Sequence, residues 1–412
     1  MRILFFTDNF PPETNAPAVR THQHARIWTS EGHDVTVVTC APNFPTGRIH
    51  DGYTNRRSTE NLDGIEVVRV WSYIAANRGR ARRSLDFLSF AMSAIPAGLS
   101  LARPDVVVGT SPQLFSVLAA WAVARLRRVP CVFELRDLWP ESIEAVRAAR
   151  SGVFMRAIAA LADFLYRHVD HVVCVTESFR SILRDRGIPA DRLSVVRNGV
   201  DTSEFDPETT DRSFREEIGV APNDMLVTYL GTLGMAHGLE TVLDAAELAG
   251  GGPDRFLIVG EGARKASLMR ETSRRGLMNV TFLEGQPRSR VPSILAASDA
   301  VLVHLRDDPL FEHVIPSKIF EAMAMARPII LAVRGESARI VESAGAGVTV
   351  DPGDPRDLLS AVDGLRADPA LRAEMGRNGR LAAERDFNRR DAAEKMLGVL
   401  SEVAARRPGP AS

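Results

Sequence analysis

Short runs of Val, Ile and Leu, each followed by a segment of helical spacing, recur along almost the whole of this chain. A run with no polar face must be covered on both sides, which is the situation of a parallel strand sandwiched by helices. In the first half the runs are Ile3 to Phe6, Val35 to Thr39, Val67 to Trp71, Val106 to Gly109, Cys131 to Leu135, His171 to Val175 and Leu193 to Val196. In the second half they are Leu226 to Leu230, Phe256 to Gly260, Val280 to Leu283, Ala300 to His304, Ile329 to Ala332 and Gly347 to Val350. The pattern predicts an α/β chain with two Rossmann-like, doubly wound parallel sheets, and 412 residues exceed what a single core sustains. Asn198-Gly199-Val200-Asp201 and the aperiodic polar stretch Thr202 to Arg215 mark the linker. Lobes of residues 1–200 and 201–387 are expected, with the helical pattern of 388–406 packing back on the first. Ligands of such sheets bind beyond the carboxyl ends of the strands, so a cleft between two facing lobes is the expected site.

Lysine plus arginine (51) and aspartate plus glutamate (52) cancel. No global field favours nucleic acid, and none is expected as a partner. Cys40, Cys131 and Cys174 are odd in number and each lies in an apolar run, the usage of buried thiols in a reducing compartment. The opening MRILFFTDNFPP holds an apolar run too short for a secretory signal and reads as the first strand. Leu85 to Leu101 is broken by Pro96 and carries Asp86, so it reads as a packed helix, not a membrane span. A cytoplasmic location is expected, with PGPAS as a short disordered tail.

The strongest local feature runs from Pro316 to Pro328. Pro316 and Ser317 are helix-start signals and Pro328 is a stop. Helical winding places Ile319, Phe320, Ala322, Met323 and Ala326 on one face and Ser317, Lys318 and Glu321 on the other. Unpaired N–H groups at a helix start attract anions, and Lys318 adds a full charge. Glu321, one turn deeper, suits a vicinal diol such as ribose. The bland alternative is a solvated face of a surface helix.

A second feature is Tyr229 to Glu240, a strand followed by a glycine loop. Gly231, Gly234 and Gly238 let backbone approach a ligand, and Thr232 and His237 offer donors to phosphate oxygens. A tight connection with a structural histidine explains the same residues. The loop Asp8 to Pro17, ahead of the helix with Arg20 and His24, and the segment Phe133 to Ser142, with Arg136 and Asp137, both place polar groups at strand ends. Arg78, Arg80, Arg82 and Arg83 crowd one short stretch, which reads as a solvated loop in the first place, or as a point to which a membrane surface or an anionic lipid-linked acceptor is steered. Asp307-Asp308 and Asp351 to Asp354 read as turns, so neither metal nor cofactor is expected.

Taken together, ILFFTDNFPPE, EGHDVTVVT, PNFPTGRIHDGY, ELRDLWPES, RNGVDTSEF, VGEGARKASL and PSKIFEAMAMARPII resemble the retaining glycosyltransferases of family 4, over nearly the whole chain. PNFPTGRI, RDLWPES and PSKIFEAMA look most like the branch that adds sugars in bacterial surface-polysaccharide or secondary-metabolite assembly. The resemblance implies the two-lobed GT-B fold, a nucleoside-diphosphate-sugar donor and a hydroxyl acceptor, which in this branch can be lipid-linked at the inner membrane surface. By position Glu321 matches the second glutamate of the family's paired-glutamate element, which grips the donor ribose, while the first falls on His313, beside Glu312. Thr232 and His237 stand where the family has an arginine and a lysine that clasp the diphosphate, which leaves Lys318 as the main diphosphate partner. Gly231, Glu261, Ile315 and Ser317 complete the expected donor side, and Asn15, Ala16 and Arg20 the acceptor side. Catalysis is assigned to Lys318, Asp137 and Arg136 along a front-face path without a covalent intermediate. A nucleotide-sugar epimerase or phosphorylase and a non-catalytic nucleotide-binding subunit are the alternatives. The first strand-to-helix turn lacks the glycine fingerprint of a dinucleotide-dependent dehydrogenase.

Overall fold

The computed structural model describes every residue except 45, 75–79, 140, 142–152, 209, 212 and 407–412. Arg78, Pro140, Ser142 and the PGPAS segment therefore lie outside the described residues, as do the side chains of Arg80, Arg82 and Arg83. The chain divides into two compact units, one formed by residues up to Asn198 with the C-terminal helix, the other by Gly199–Asn388.

The first unit is built on β1 (Arg2–Phe6), β2 (Asp34–Cys40), β3 (Ser58–Leu62), β4 (Ile65–Val70), β5 (Val106–Thr110), β6 (Cys131–Leu135), β7 (His171–Cys174) and β8 (Leu193–Val195). Their order is β3-β4-β2-β1-β5-β6-β7-β8, parallel throughout except for β3 against β4. The winding direction reverses between β1 and β5, where a doubly wound sheet opens a crevice beyond its strand ends. Strand β3 has no counterpart among the apolar runs because it is polar and mostly exposed. It is a hairpin arm, turned back through Asp63 and Gly64, both at positive φ. All three cysteines are buried and free.

The C-terminal helix Arg389–Ala405 belongs to this unit. Ala393, Met396, Leu400 and Val403 are buried with Ile3, Phe5, Trp28 and Val35, and the Trp28 indole N–H donates to the Ala393 carbonyl at 2.8 Å. All of the run Leu85 to Leu101 but its last residue falls in the helix Arg80–Ser100, which keeps Pro96 in its interior. Among the described residues no helix is long and apolar enough to cross a membrane.

The second unit carries β9 (Met225–Leu230), β10 (Asp254–Val259), β11 (Val280–Leu283), β12 (Ala300–His304), β13 (Ile329–Ala332) and β14 (Gly347–Thr349), in the wholly parallel order β11-β10-β9-β12-β13-β14. Alternate residues serve two cores, as a sheet covered on both faces demands. Val301, Val303, Ile329 and Leu331 pack with Ile319, Phe320, Ala322 and Met323 on one side. Leu302 and Ile330 pack with Leu239, Val242 and Leu243 on the other. Here the winding reverses between β9 and β12.

Candidate functional site

At this second switch point three loops meet. The chain leaves β9 through Gly231 and β10 through Gly260, and the two exits run backbone against backbone. The Gly231 N–H donates to Val259 O at 2.9 Å, Leu233 N–H to Glu261 O at 2.8 Å and Arg264 N–H to Leu233 O at 2.9 Å. A Cβ on Gly260, at φ 146°, would lie 1.9 Å from the Gly231 carbonyl oxygen, so only glycine permits the approach. From the far side His304, the last residue of β12, holds the loop: its Nδ1 lies 2.7 Å from the His237 carbonyl. A carbonyl only accepts, so Nδ1 carries the proton.

The side chain of Lys318 ends in this enclosure. Its Nζ sits 3.8 Å from the centroid of the Tyr229 ring and 2.9 Å from where a Cβ on Gly231 would be. The Nζ is shielded from water and no acceptor among the described residues bonds to it. Burial pushes its pKa down to about 7, against the opposing pull of Glu321. The Tyr229 hydroxyl is occupied, donating to the Thr232 carbonyl at 2.8 Å. His237 is edge-on to Tyr229, and burial, followed by the charge of Lys318, lowers its pKa to about 3. Its imidazole is therefore held neutral within this enclosure. Thr232 is exposed and free to present its hydroxyl.

The helix carrying Lys318 spans Lys318–Ala324, shorter than the Pro328 stop suggests. Ala326 at φ 52° closes it, with Ala326 N–H donating to Met323 O and Arg327 N–H to Ala322 O, a Schellman ending without glycine. Ser317 takes the cap position but its side chain makes no capping bond. Glu321 is half-buried beside Arg288, whose Nη1 lies 3.4 Å away, while the Arg288 Nε reaches Glu204 at 2.7 Å. A ligand hydroxyl at Glu321 would thus share it with an arginine.

Other expected donor contacts are placed differently. Ile315 is buried in the core with Ile319 and Phe320, and offers a ligand only its backbone. Glu261 is exposed and engaged by Lys265 Nζ at 2.7 Å and by the Gly285 N–H at 3.1 Å. His313 ends a 3-10 turn, Pro309–His313, and the neighbouring Glu312 is exposed. Asp307 and Asp351 both pair with Arg334, Asp308 caps the 3-10 turn and Asp354 caps the helix Pro355–Ala367.

In the first unit, Asn15 caps the helix Ala16–Ser30, of which Ala16 is the first residue. Arg20 is buried and four of its five N–H donors go to protein: Glu134 Oε1 at 2.8 Å, Asn198 Oδ1 at 2.9 Å and the carbonyls of Val196 and Arg197. It braces the strand ends. Burial alone would raise the pKa of Glu134, yet Arg20, Arg136 and the Thr110 hydroxyl outweigh it and the net value is lowered. Beyond β6 the N–H groups of Arg136 and Asp137 both donate to Ser111 Oγ, at 2.7 and 3.2 Å. Burial lowers the Arg136 pKa to about 10 and raises that of Asp137. Tyr229 and Glu134 lie within the segments singled out in the sequence but had no role assigned to them, and His304 and Arg288 were not among the expected site residues. Their signal was a polar group at or near the end of an apolar strand, except for Arg288, which carries none.

Comparison with known proteins decides the family. The model of the glycosyl transferase 4-like domain matches residues 15–199, and that of glycosyl transferases group 1 matches residues 210–382. The chain is a family 4 glycosyltransferase. A glycosyl transferase of Escherichia coli K12 named for colanic acid biosynthesis, WcaI, is 25% identical to it over 88% of this chain and 91% of its own length. The alpha-D-kanosaminyltransferase of Streptomyces kanamyceticus is 24% identical over 69% and 73%. Among solved structures, sucrose-phosphate synthase from Thermosynechococcus elongatus matches this glycosyltransferase with a TM-score of 0.80 at 17% identity, over 98% of this chain and 99% of that one. Anabaena HepE in complex with UDP-glucose does so at 0.73 and 18%, over 98% and 100%. The fold of this glycosyltransferase is GT-B, two parallel-sheet α/β units.

Proposed function

We propose that this glycosyltransferase draws its sugar from a nucleoside diphosphate, grips the diphosphate with Lys318 beside Gly231 and Thr232, and passes the sugar with retention to a hydroxyl acceptor. One observation carries the reading: an ammonium sealed from water, bonded to no acceptor, at the switch point of a parallel sheet and against a glycine that leaves the space open. A diphosphate supplies the charge-assisted bond that Lys318 lacks. As the glycosidic bond breaks, charge grows on the leaving oxygens while an oxocarbenium-like centre forms, and a fixed cation there stabilises the transition state more than the ground state. Glu321, steadied by Arg288, is read as the ribose contact. Asp137 and Arg136 position sugar or acceptor, and the leaving phosphate oxygen takes the acceptor proton. A glycosyl-enzyme trapped on Asp137 would overturn that path. The UDP-glucose held by HepE supports the donor class, and the names of the bacterial relatives support polysaccharide or secondary-metabolite assembly. That the acceptor is carried on a lipid is part of the proposal and follows from the motif resemblance alone.

The test is a thermal-shift screen of nucleotide sugars, since a ligand at about 100 times its Kd stabilises by roughly 2.7 kcal/mol. Lys318→Ala is expected to cost about 1.5–3 kcal/mol in kcat/KM for the donor, roughly ten- to hundredfold. Unchanged donor kinetics would remove Lys318 from the site. Stabilisation by donor without turnover on any acceptor would instead favour a nucleotide-binding subunit.

A further inference from the structure

From Phe87 to Ala102 the chain has no charged residue, although much of this stretch lies at the surface. The inner side of the helix Arg80–Ser100 is buried through Phe90, Ala91, Ala94 and Ala97. Its outer side is apolar as well. Leu85, Leu88 and Met92 are 54%, 45% and 68% exposed, and their spacing of three and four places them on one stripe that Ile95 and Leu99 continue. Water-facing helix positions ordinarily carry charge, so an apolar outer stripe asks for a cover. Tyr73 is tied to the helix, its N–H donating to Ser89 Oγ at 2.7 Å, and both Tyr73 and Trp71, two residues before it, are exposed.

Arginines bracket the stripe. Arg80, Arg82 and Arg83 open the helix, Arg57 donates to Ser100 Oγ at its far end at 2.7 Å, and Arg127 bonds the carbonyls of Leu99 and Leu101. Asp86 is the one acidic residue of the helix. A second copy packed on this face, in either direction, would set arginine ends against arginine ends. A layer of anionic headgroups over hydrocarbon matches it instead: phosphates for the arginines, the interfacial zone for Trp71 and Tyr73, and acyl chains for the stripe.

We propose that the outer face of the helix Arg80–Ser100, with Trp71 and Tyr73, seats the protein on an anionic bilayer. The proposal rests on the lipid-linked part of the functional reading for its purpose, and on the surface alone for its evidence. It is tested on the full chain by co-sedimentation with vesicles of phosphatidylglycerol and phosphatidylcholine in equal parts, and of phosphatidylcholine alone, without donor or acceptor. Binding is expected to the mixed vesicles and to weaken with salt. The double variant Leu88→Glu, Met92→Glu should lose at least about tenfold in binding, and Arg57→Gln roughly fivefold. Both double-variant positions are exposed, so its circular dichroism and nucleotide-sugar thermal shift should match the parent. Equal sedimentation of parent and double variant, or no binding by the parent, overturns the proposal. So does a lipid-free dimer that the double variant dissociates. None of these outcomes touches the transferase reading, which donor binding tests separately.

Discussion

An ammonium enclosed by an aromatic ring and a glycine backbone, with no acceptor in reach, holds its proton weakly until an anion arrives. Near pH 7 the empty site is therefore only partly charged. The groups around it do not compensate. His237 and His304 are lowered by burial, Glu240 is bonded to Arg264, and Glu321 shares Arg288. A nucleotide-sugar diphosphate favours the protonated lysine, so above pH 7 each binding event takes up a proton. Donor affinity is expected to be flat below about pH 7 and to fall up to about tenfold per unit above it, until the pKa of the occupied site is reached. Titration calorimetry between pH 6 and 9 measures this. Lys318→Met should bind weakly and lose the slope, and a slope that survives the substitution belongs to another group. The stability sign follows from the same depression. The unfolded chain binds the Lys318 proton up to its ordinary value and the folded chain only to about 7, so this lysine's cost to folding is full below pH 7 and relieved as pH rises through that window.

Loops on the donor side keep their course because backbone touches backbone. Gly260→Ala adds a methyl 1.9 Å from the Gly231 carbonyl oxygen at a φ of 146°. It is expected to lower stability by about 2–5 kcal/mol, overpacking and backbone strain together, and to raise the donor KM because Gly231 moves with it. Urea denaturation and donor kinetics read the two effects, and a variant as stable as the parent would show that the loops do not press on one another. The helix Arg389–Ala405 offers the matching test in the first unit. Met396 is wholly buried among Phe5, Trp28 and Val35, so Met396→Ala should cost about 2–5 kcal/mol, and the loss should appear in the first unit, to which this helix belongs, and not in the second, which precedes it in sequence. Its signature is a lowered midpoint of tryptophan fluorescence, since Trp28 packs on this helix.

All four tryptophans, Trp28, Trp71, Trp121 and Trp139, precede Asn198, whereas backbone circular dichroism reports on both units. Each unit has its own cores, so a nucleoside diphosphate held by the second should shift the dichroism transition and leave the fluorescence transition in place. A fluorescence midpoint that follows the ligand step for step would mean that the ligand is held by the first unit or that the two unfold as one. The doubly wound class was legible because period and composition are local: a run apolar on both faces has one kind of place to go. The face of Ile319, Phe320, Ala322 and Met323 was legible for the same reason. Strand β3 was passed over although Asp63-Gly64 announces a hairpin, because its residues are polar and edge strands need no apolar run. Arg20 looked wholly available to a ligand, but Glu134, 114 residues away, takes its Nε–H. Nothing local links Arg288 to Glu321, or His304 to the carbonyl of His237. Sequence alone determined the two sheets, the covered faces and the chemistry gathered on one helix start, since neighbours in the chain set all three. Tertiary structure decided which of those charged groups still lacks a partner, because a bond between residues far apart in sequence exists only once the strands are in register.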